Sequence, residues 1–195
     1  SDSFFSNEIN NKFIDDFSKN TKEQINFLSA TIDDFRDFFN PNKQKVVFEI
    51  KSAIEKSLKF MGNQFEINRV KVNIEYKDEK VYGIEIELEQ VILNILNNSM
   101  DAFKERKIEN KEINIKVLSK QSYTILIMED NAGGVKEESL EKIFDPYYTT
   151  KSTGTGTGLY MVKLVVKNSL QGDLKINNSE KGLRYIIALP QKEES

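Results

Sequence analysis

LEQVILNILNNSMDAF, residues 88–103, reads as one amphipathic helix, because Leu88, Val91, Ile92, Ile95, Ala102 and Phe103 recur at helical spacing and form an apolar face. Asn94, Asn98 and Asp101 stand at i, i+4 and i+7, so their side chains stack in one row along the edge of that face. Asparagine is a mediocre helix former, and its presence in an otherwise strong helix points to a demand from outside the helix. An amide carbonyl is a hard oxygen ligand suited to magnesium, provided the phosphates of a nucleotide meet most of the charge. The same letters also fit an ordinary helix with polar residues on its rim.

Downstream, ILIMEDNAGGV at residues 125–135 is an apolar strand that runs into Asp130, Asn131, Ala132, Gly133 and Gly134. A carboxylate at a strand end can accept from an exocyclic amine, and neighbouring glycines let a flat ring approach the backbone. A plain turn after a strand is the alternative. Further on, KSTGTGTGLYMVKLVV at residues 151–166 alternates Gly154, Gly156 and Gly158 with threonines before a helix begins. Free amides at a helix start can hold an anion such as phosphate. The spacing is neither that of a Walker loop nor G-x-G-x-x-G, and a glycine-threonine loop can also be merely flexible.

Composition narrows the chemistry. The 195 residues hold 38% hydrophobic and 30% charged residues, enough for one well-cored domain plus an extra element. A net charge of -3, with basic and acidic residues interspersed, gives no footprint for nucleic acid. The absence of cysteine excludes a disulfide framework and a thiolate metal site, and makes the cytoplasm the expected compartment. No apolar run approaches the roughly 20 residues that cross a bilayer, and the first residues lack the basic-then-apolar pattern of a signal peptide. A histidine count of zero removes the commonest general base and any phosphohistidine chemistry in cis.

Before residue 40, Phe5, Ile9, Phe13, Phe17, Ile25, Leu28, Ile32, Phe35 and Phe39 recur in steps mostly of four. They predict one long helix ending at Asn40-Pro41-Asn42, with an apolar stripe that needs a partner helix and so implies a homodimer. The second unit, residues 43–195, is expected to mix strands and helices. The expected elements are a strand at 46–49, a helix at 50–60, strands at 70–76 and 80–83, and the helix at 88–106. Strands at 112–118 and 123–129 follow, turning at Lys120-Gln121, then helices at 137–143 and 158–168. A last hairpin at 173–177 and 184–189 turns through 179–182. Without strict β-α-β alternation, the fold class is α+β, a two-layer α/β sandwich of a mixed sheet and helices behind a long N-terminal helix.

Taken in order, NILNNSMDAF, DNAGGV, IFDPYYTTK and GTGTGLYMVK resemble the asparagine box, first glycine box, phenylalanine box and second glycine box of sensor histidine kinase catalytic domains. That superfamily also holds gyrase, heat-shock chaperone and mismatch-repair ATPases. The resemblance implies that Asn98 ligands Mg2+, that Asn94 helps hold the phosphates of ATP, and that Asp130 accepts from the adenine amine beside Gly134. It also implies that Gly154, Gly156 and Gly158, with Thr155, Thr157 and Leu159, wrap the phosphates while Phe144 anchors a mobile lid. Lys151, with Thr150 before it, is placed by sequence to contact phosphate. This chain departs from the pattern at Ala132, where many members have glycine, and at Asp101, where many kinases place a cation. The glycine motif near Gly182 matches only weakly.

INFLSATIDDFRDFF in the upstream helix is similar to the second helix of the kinase dimerisation hairpin. The first helix, which carries the phosphorylated histidine, is missing, which implies a truncated or naturally split protein. In the hydrolysing relatives a glutamate four residues before the magnesium-binding asparagine is the general base. Here that position is Asn94, which cannot take a proton from water, so hydrolysis should be slow and the γ-phosphate kept for a histidine-bearing helix and then a response regulator. The expected setting is cytoplasmic, including the cytoplasmic part of a membrane-anchored sensor. An ATPase or a serine-directed anti-sigma kinase of the same fold, and a nucleotide-free interaction module, are the competing readings.

Overall fold

The computed structural model describes residues 44–151 and 156–192. The long helix expected over residues 1–40, and Gly154 and Thr155 of the glycine loop, lie outside them. Strand β1 (Val46–Glu49) pairs antiparallel with β3 (Lys80–Gly83) as a small two-stranded sheet. Between them come α1 (Ile50–Asn68) and β2 (Val70–Glu75). Helix α2 (Glu85–Glu105) leads to β4 (Lys111–Lys120) and β5 (Tyr123–Asp130). The short α3 (Glu137–Leu140) and α4 (Gly158–Leu164) precede the hairpin of β6 (Asp173–Asn178) and β7 (Leu183–Pro190).

The main sheet has the order β2-β4-β5-β7-β6, with β2 parallel to β4 and every other pair antiparallel. It is therefore mixed, as expected of an α+β sandwich. Strand alternation sets its two faces: Leu126 and Met128 on β5 are buried, as are Leu183, Tyr185, Ile187 and Leu189 on β7, while Lys116 on β4 is exposed. The helix layer meets the buried face with Ile50, Ala53, Ile54 and Met61 of α1 and Leu88, Ile92, Ile95, Leu96 and Phe103 of α2. Asp130 falls on the same face as Met128, two residues earlier, and is 4% exposed. The strand's phase thus carries a carboxylate into the core side of the sheet, facing the helices.

Local differences from the sequence expectation have identifiable causes. Helix α1 continues past Phe60 to Asn68, because Gly62 faces open space and Met61 and Phe65 prolong the buried stripe. It stops where Arg69 takes the left-handed conformation (φ 54°, ψ 49°) and its amide caps Glu66 and Phe65. Helix α2 starts three residues earlier than its apolar face indicates, with Glu85 and Glu87 in the first turn complementing the helix dipole. The β4-β5 strands reach Lys120 and Tyr123, moving the turn to Gln121-Ser122, with Gln121 at φ 57°. The helix after Gly158 loosens into a π turn, Val165–Ser169, before ending. Among the described residues, no helix is long and apolar enough to cross a membrane.

Candidate nucleotide and magnesium site

Asn94, Asn98 and Asp101 lie along one edge of α2, as their spacing requires. The Asn94 amide nitrogen donates back to the Gln90 carbonyl at 3.0 Å, which leaves its side-chain oxygen turned outward. That oxygen lies 3.5 Å from where a β-carbon on Gly158 would stand, so the first residue of α4 sits against the asparagine row. Lys151 reaches the same row from the phenylalanine-box side, its ammonium donating to Asn98 Oδ1 at 2.9 Å and to Asp101 Oδ2 at 2.7 Å. The structure therefore brings Asn94, Asn98, Asp101, Lys151 and Gly158 together across a sequence span of 65 residues.

This arrangement is a cation seat already holding a cation. Asn98 Oδ1 and Asp101 Oδ2 are hard oxygen donors, and the Lys151 ammonium stands on them as a divalent metal could. The other end of the Asn98 amide, Nδ2, is buried with no hydrogen-bond partner. Such a group costs free energy until something pairs it, as bound phosphate would. Among the described residues, no group of three or more carboxylates could hold a metal by itself. A magnesium ion here would need phosphate oxygens to complete its shell, so the donor set fits a metal that arrives with a nucleotide.

At the other end of the site, Asp130 is tied into the protein. Its Oδ1 accepts from the amides of Ala132 at 2.9 Å and Leu183 at 3.3 Å, and its Oδ2 accepts from the Ser99 hydroxyl at 3.0 Å. Gly182 packs onto it so closely that a β-carbon there would lie 2.0 Å from the Asp130 carbonyl oxygen. Tyr185 is fully buried nearby, and burial, followed by the charge of Asp130, pushes its phenol up, so it stays neutral. Gly134 has φ +67°, and a β-carbon there would lie 2.4 Å from Asn178 Oδ1 and 3.3 Å from the Gly182 carbonyl oxygen. Asn178 also clasps this turn, accepting from the Val135 amide and donating to the Val135 carbonyl.

The described residues that flank the glycine loop are tied to one another. The Tyr147 amide donates to the Gly156 carbonyl at 3.1 Å, and the Tyr148 hydroxyl donates to Ser139 at 2.9 Å. Gly156 has φ +68°, and a β-carbon there would lie 2.3 Å from the Tyr147 carbonyl carbon, so only glycine closes this loop neck. Phe144 is half-buried with Lys163 of α4 over its ring, 5.8 Å from the centroid. Thr157 is the N-cap residue of α4, Leu159 is half-buried on its first turn, and Thr150 is exposed. Sequence reading missed Ser99, Asn178 and the close packing of Gly182. One of them had a signal: Ser99 is a hydroxyl on the apolar face of α2, and the Asp130 it meets is a carboxylate in the apolar phase of β5, so two polar groups face each other across one core.

A family model described as "Histidine kinase-, DNA gyrase B-, and HSP90-like ATPase" matches residues 83–193, more than half the chain. The chain belongs to this family. Every site residue named above falls inside the matched span. Among relatives, sporulation kinase B of Bacillus subtilis is 27% identical over 187 residues, covering 93% of this chain and 42% of that kinase. Among solved structures, the catalytic domain of the histidine kinase ThkA superposes with a TM-score of 0.68 at 23% identity, over 76% of this chain and 96% of that one. ThkA solved in complex with the response regulator protein TrrA gives a TM-score of 0.67 at 20% identity, over 86% of this chain and 49% of that one. The chain spans less than half the length of the relatives it matches first, from 42% for sporulation kinase B to 16% for the two-component sensor PprA of Pseudomonas aeruginosa. The described domain is of the histidine kinase catalytic type, an ATP-binding module of the family.

Proposed function

We propose that this module binds ATP with magnesium and passes the γ-phosphoryl group to a histidine on a dimerisation helix, as the catalytic part of a two-component sensor kinase. The observation that carries the reading is the cation seat, in which Asn98 Oδ1 and Asp101 Oδ2 hold an ammonium beside Asn94 and the start of α4. Asn94 and Gly158, with Gly154, Gly156 and the intervening threonines, would hold the phosphates, and Asp130 would accept from the adenine amine. Asn98 would ligand the magnesium, which when bound neutralises phosphate charge. Lys151 would leave Asn98 as the metal arrives, and its ammonium is then free for a phosphate oxygen. Positioning and charge neutralisation are most of what phosphoryl transfer asks of a protein.

In that transfer the bond from the γ-phosphorus to its bridging oxygen breaks, ADP leaves with the electron pair, and a bond forms to a neutral imidazole nitrogen. The 195 residues contain no histidine, so the imidazole comes from another segment or chain. Asn94 cannot accept a proton from water, which supports slow hydrolysis and a group kept for transfer. Addition of a separate histidine-bearing helix hairpin with γ-labelled ATP should put label on the hairpin, while the chain alone takes none. Steady phosphate release with no labelled hairpin would favour an ATPase, and an isothermal titration with an ATP analogue and magnesium that gives no heat would sink both.

The wider setting is part of the same proposal. ThkA has been solved with a response regulator, which supports such a partner for this chain; a cytoplasmic setting for the module is part of the proposal. The phenylalanine spacing of residues 1–40 supports a partial dimerisation hairpin ahead of the catalytic domain at residues 43–195. Self-association should rise with concentration in sedimentation equilibrium. A chain that stays monomeric at every accessible concentration contradicts the hairpin.

A further inference from the structure

Helix α2 does two jobs within one turn. Asn98 faces the cation seat, and Ser99, the next residue, turns by about 100° into the core, where it is 2% exposed. Its hydroxyl meets Asp130 Oδ2 at 3.0 Å. The carbonyl of Ile95, four residues earlier, lies 3.3 Å from the same hydroxyl. A hydroxyl has one proton, and the ionised carboxylate is both the nearer and the stronger acceptor, so the proton goes to Asp130.

An ionised carboxylate offers about four acceptor sites. In Asp130, two on Oδ1 are filled by the Ala132 and Leu183 amides and one on Oδ2 by Ser99. That leaves one lone pair on Oδ2 beside Ser99. The two amides fix one oxygen, and the hydroxyl fixes the rotation of the other about the Cβ–Cγ bond. We propose that Ser99 is a positioning residue for purine recognition: it holds Asp130 with its single open lone pair aimed at the exocyclic amine, and so sets the preference for a 6-amino purine. The inference rests on the reading of Asp130 as the amine acceptor. Ser99 touches neither the phosphates nor the reacting atoms and acts through Asp130.

Ser99 could instead simply satisfy a buried carboxylate, and the two roles differ in what they do to ligand preference. The test compares the affinity of ATP with that of purine riboside triphosphate, which lacks the amine, by titration calorimetry with magnesium on the intact chain. Wild type should prefer ATP by about tenfold or more, the scale of one hydrogen bond to a charged acceptor. In Ser99→Ala the ratio should fall to about twofold, because the lost contact is the amine's. Ser99→Cys keeps the volume with a weaker donor and should also lose most of the preference, which keeps the test open if either variant fails to fold. If both ligands weaken equally in the variants and the ratio is unchanged, Ser99 is structural and the inference is overturned. If wild type itself does not distinguish the two ligands, Asp130 is not the amine acceptor and both readings fall.

Discussion

Asn98→Ala is expected to remove the magnesium-dependent part of nucleotide affinity while leaving the fold intact. Asn98 Oδ1 is the oxygen that accepts from the Lys151 ammonium, 2.9 Å away, and no other side-chain amide of α2 is drawn to that cation. Losing even an outer partner of a metal ligand costs about 10–100-fold in metal affinity, so losing the ligand should cost at least about 100-fold. The helix should tolerate the change well. Alanine is the better helix former, and the substitution also deletes the buried, unpartnered Nδ2. Stability should therefore stay level or rise slightly as binding collapses. Titration of an ATP analogue with and without magnesium checks this, alongside circular dichroism. A variant whose affinity still rises with magnesium as in wild type would remove Asn98 from the metal.

Substitution at Lys151 has a different expected signature, because that residue occupies the seat proposed for the metal and would serve the phosphates only after leaving it. Its ion pair with Asp101 is partly exposed, with side-chain exposures of 28% and 59%, so it adds little to stability. Its weight lies in occupancy, since an ammonium and a divalent cation on the same amide oxygen repel each other. Asp101, which departs from the cation that many kinases carry there, thus draws a cation to the row from elsewhere in the sequence.

Much of this was readable from residue spacing. The asparagine row follows from the 3.6-residue period of α2, and the burial of Asp130 follows from the two-residue period of β5 once Leu126 and Met128 are taken as core. What spacing could not supply were contacts between distant segments. Ser99 meets Asp130 across 31 positions, and Gly182 meets it across 52, from a hairpin whose register is set by pairing with β5. The sequence places the end of helix α1 near Phe60, two residues before Gly62, whereas the structure carries it to Asn68. A β-carbon on Gly62 would meet nothing within 4 Å, and the packing of Met61 and Phe65 carries the helix on. The glycine motif near Gly182 looked weak by letters alone, yet steric necessity acts on the backbone and is indifferent to the Leu183-Arg184 that follows.

Gly182→Ala should be the most damaging small substitution in the domain. A β-carbon at residue 182 would stand 2.0 Å from the Asp130 carbonyl oxygen, 2.6 Å from its carbonyl carbon and 2.6 Å from Oδ1. Two of these atoms are backbone, so no rotamer change relieves the contact, and either the end of β5 or the β6-β7 turn must move. That turn is tied down by the Ser179 amide on the Gly182 carbonyl at 2.8 Å and the Gly133 amide on the Lys181 carbonyl at 2.8 Å. The neighbouring Leu183 amide also donates to Asp130 Oδ1. Overpacking of this kind costs about 1–3 kcal/mol, and the loss of these bonds pushes the expected value to the top of that range. Nucleotide affinity should fall with it, since the carboxylate proposed to meet the purine amine is the group displaced. Gly62→Ala provides the control, because nothing lies within 4 Å of a β-carbon there and the residue sits inside α1. That change should stabilise by roughly 0.5–1 kcal/mol, as alanine replaces glycine in a helix. Urea unfolding of the two variants should therefore move the midpoint in opposite directions. If Gly182→Ala unfolds at the wild-type midpoint and binds nucleotide normally, the glycine is not what lets the hairpin close on Asp130.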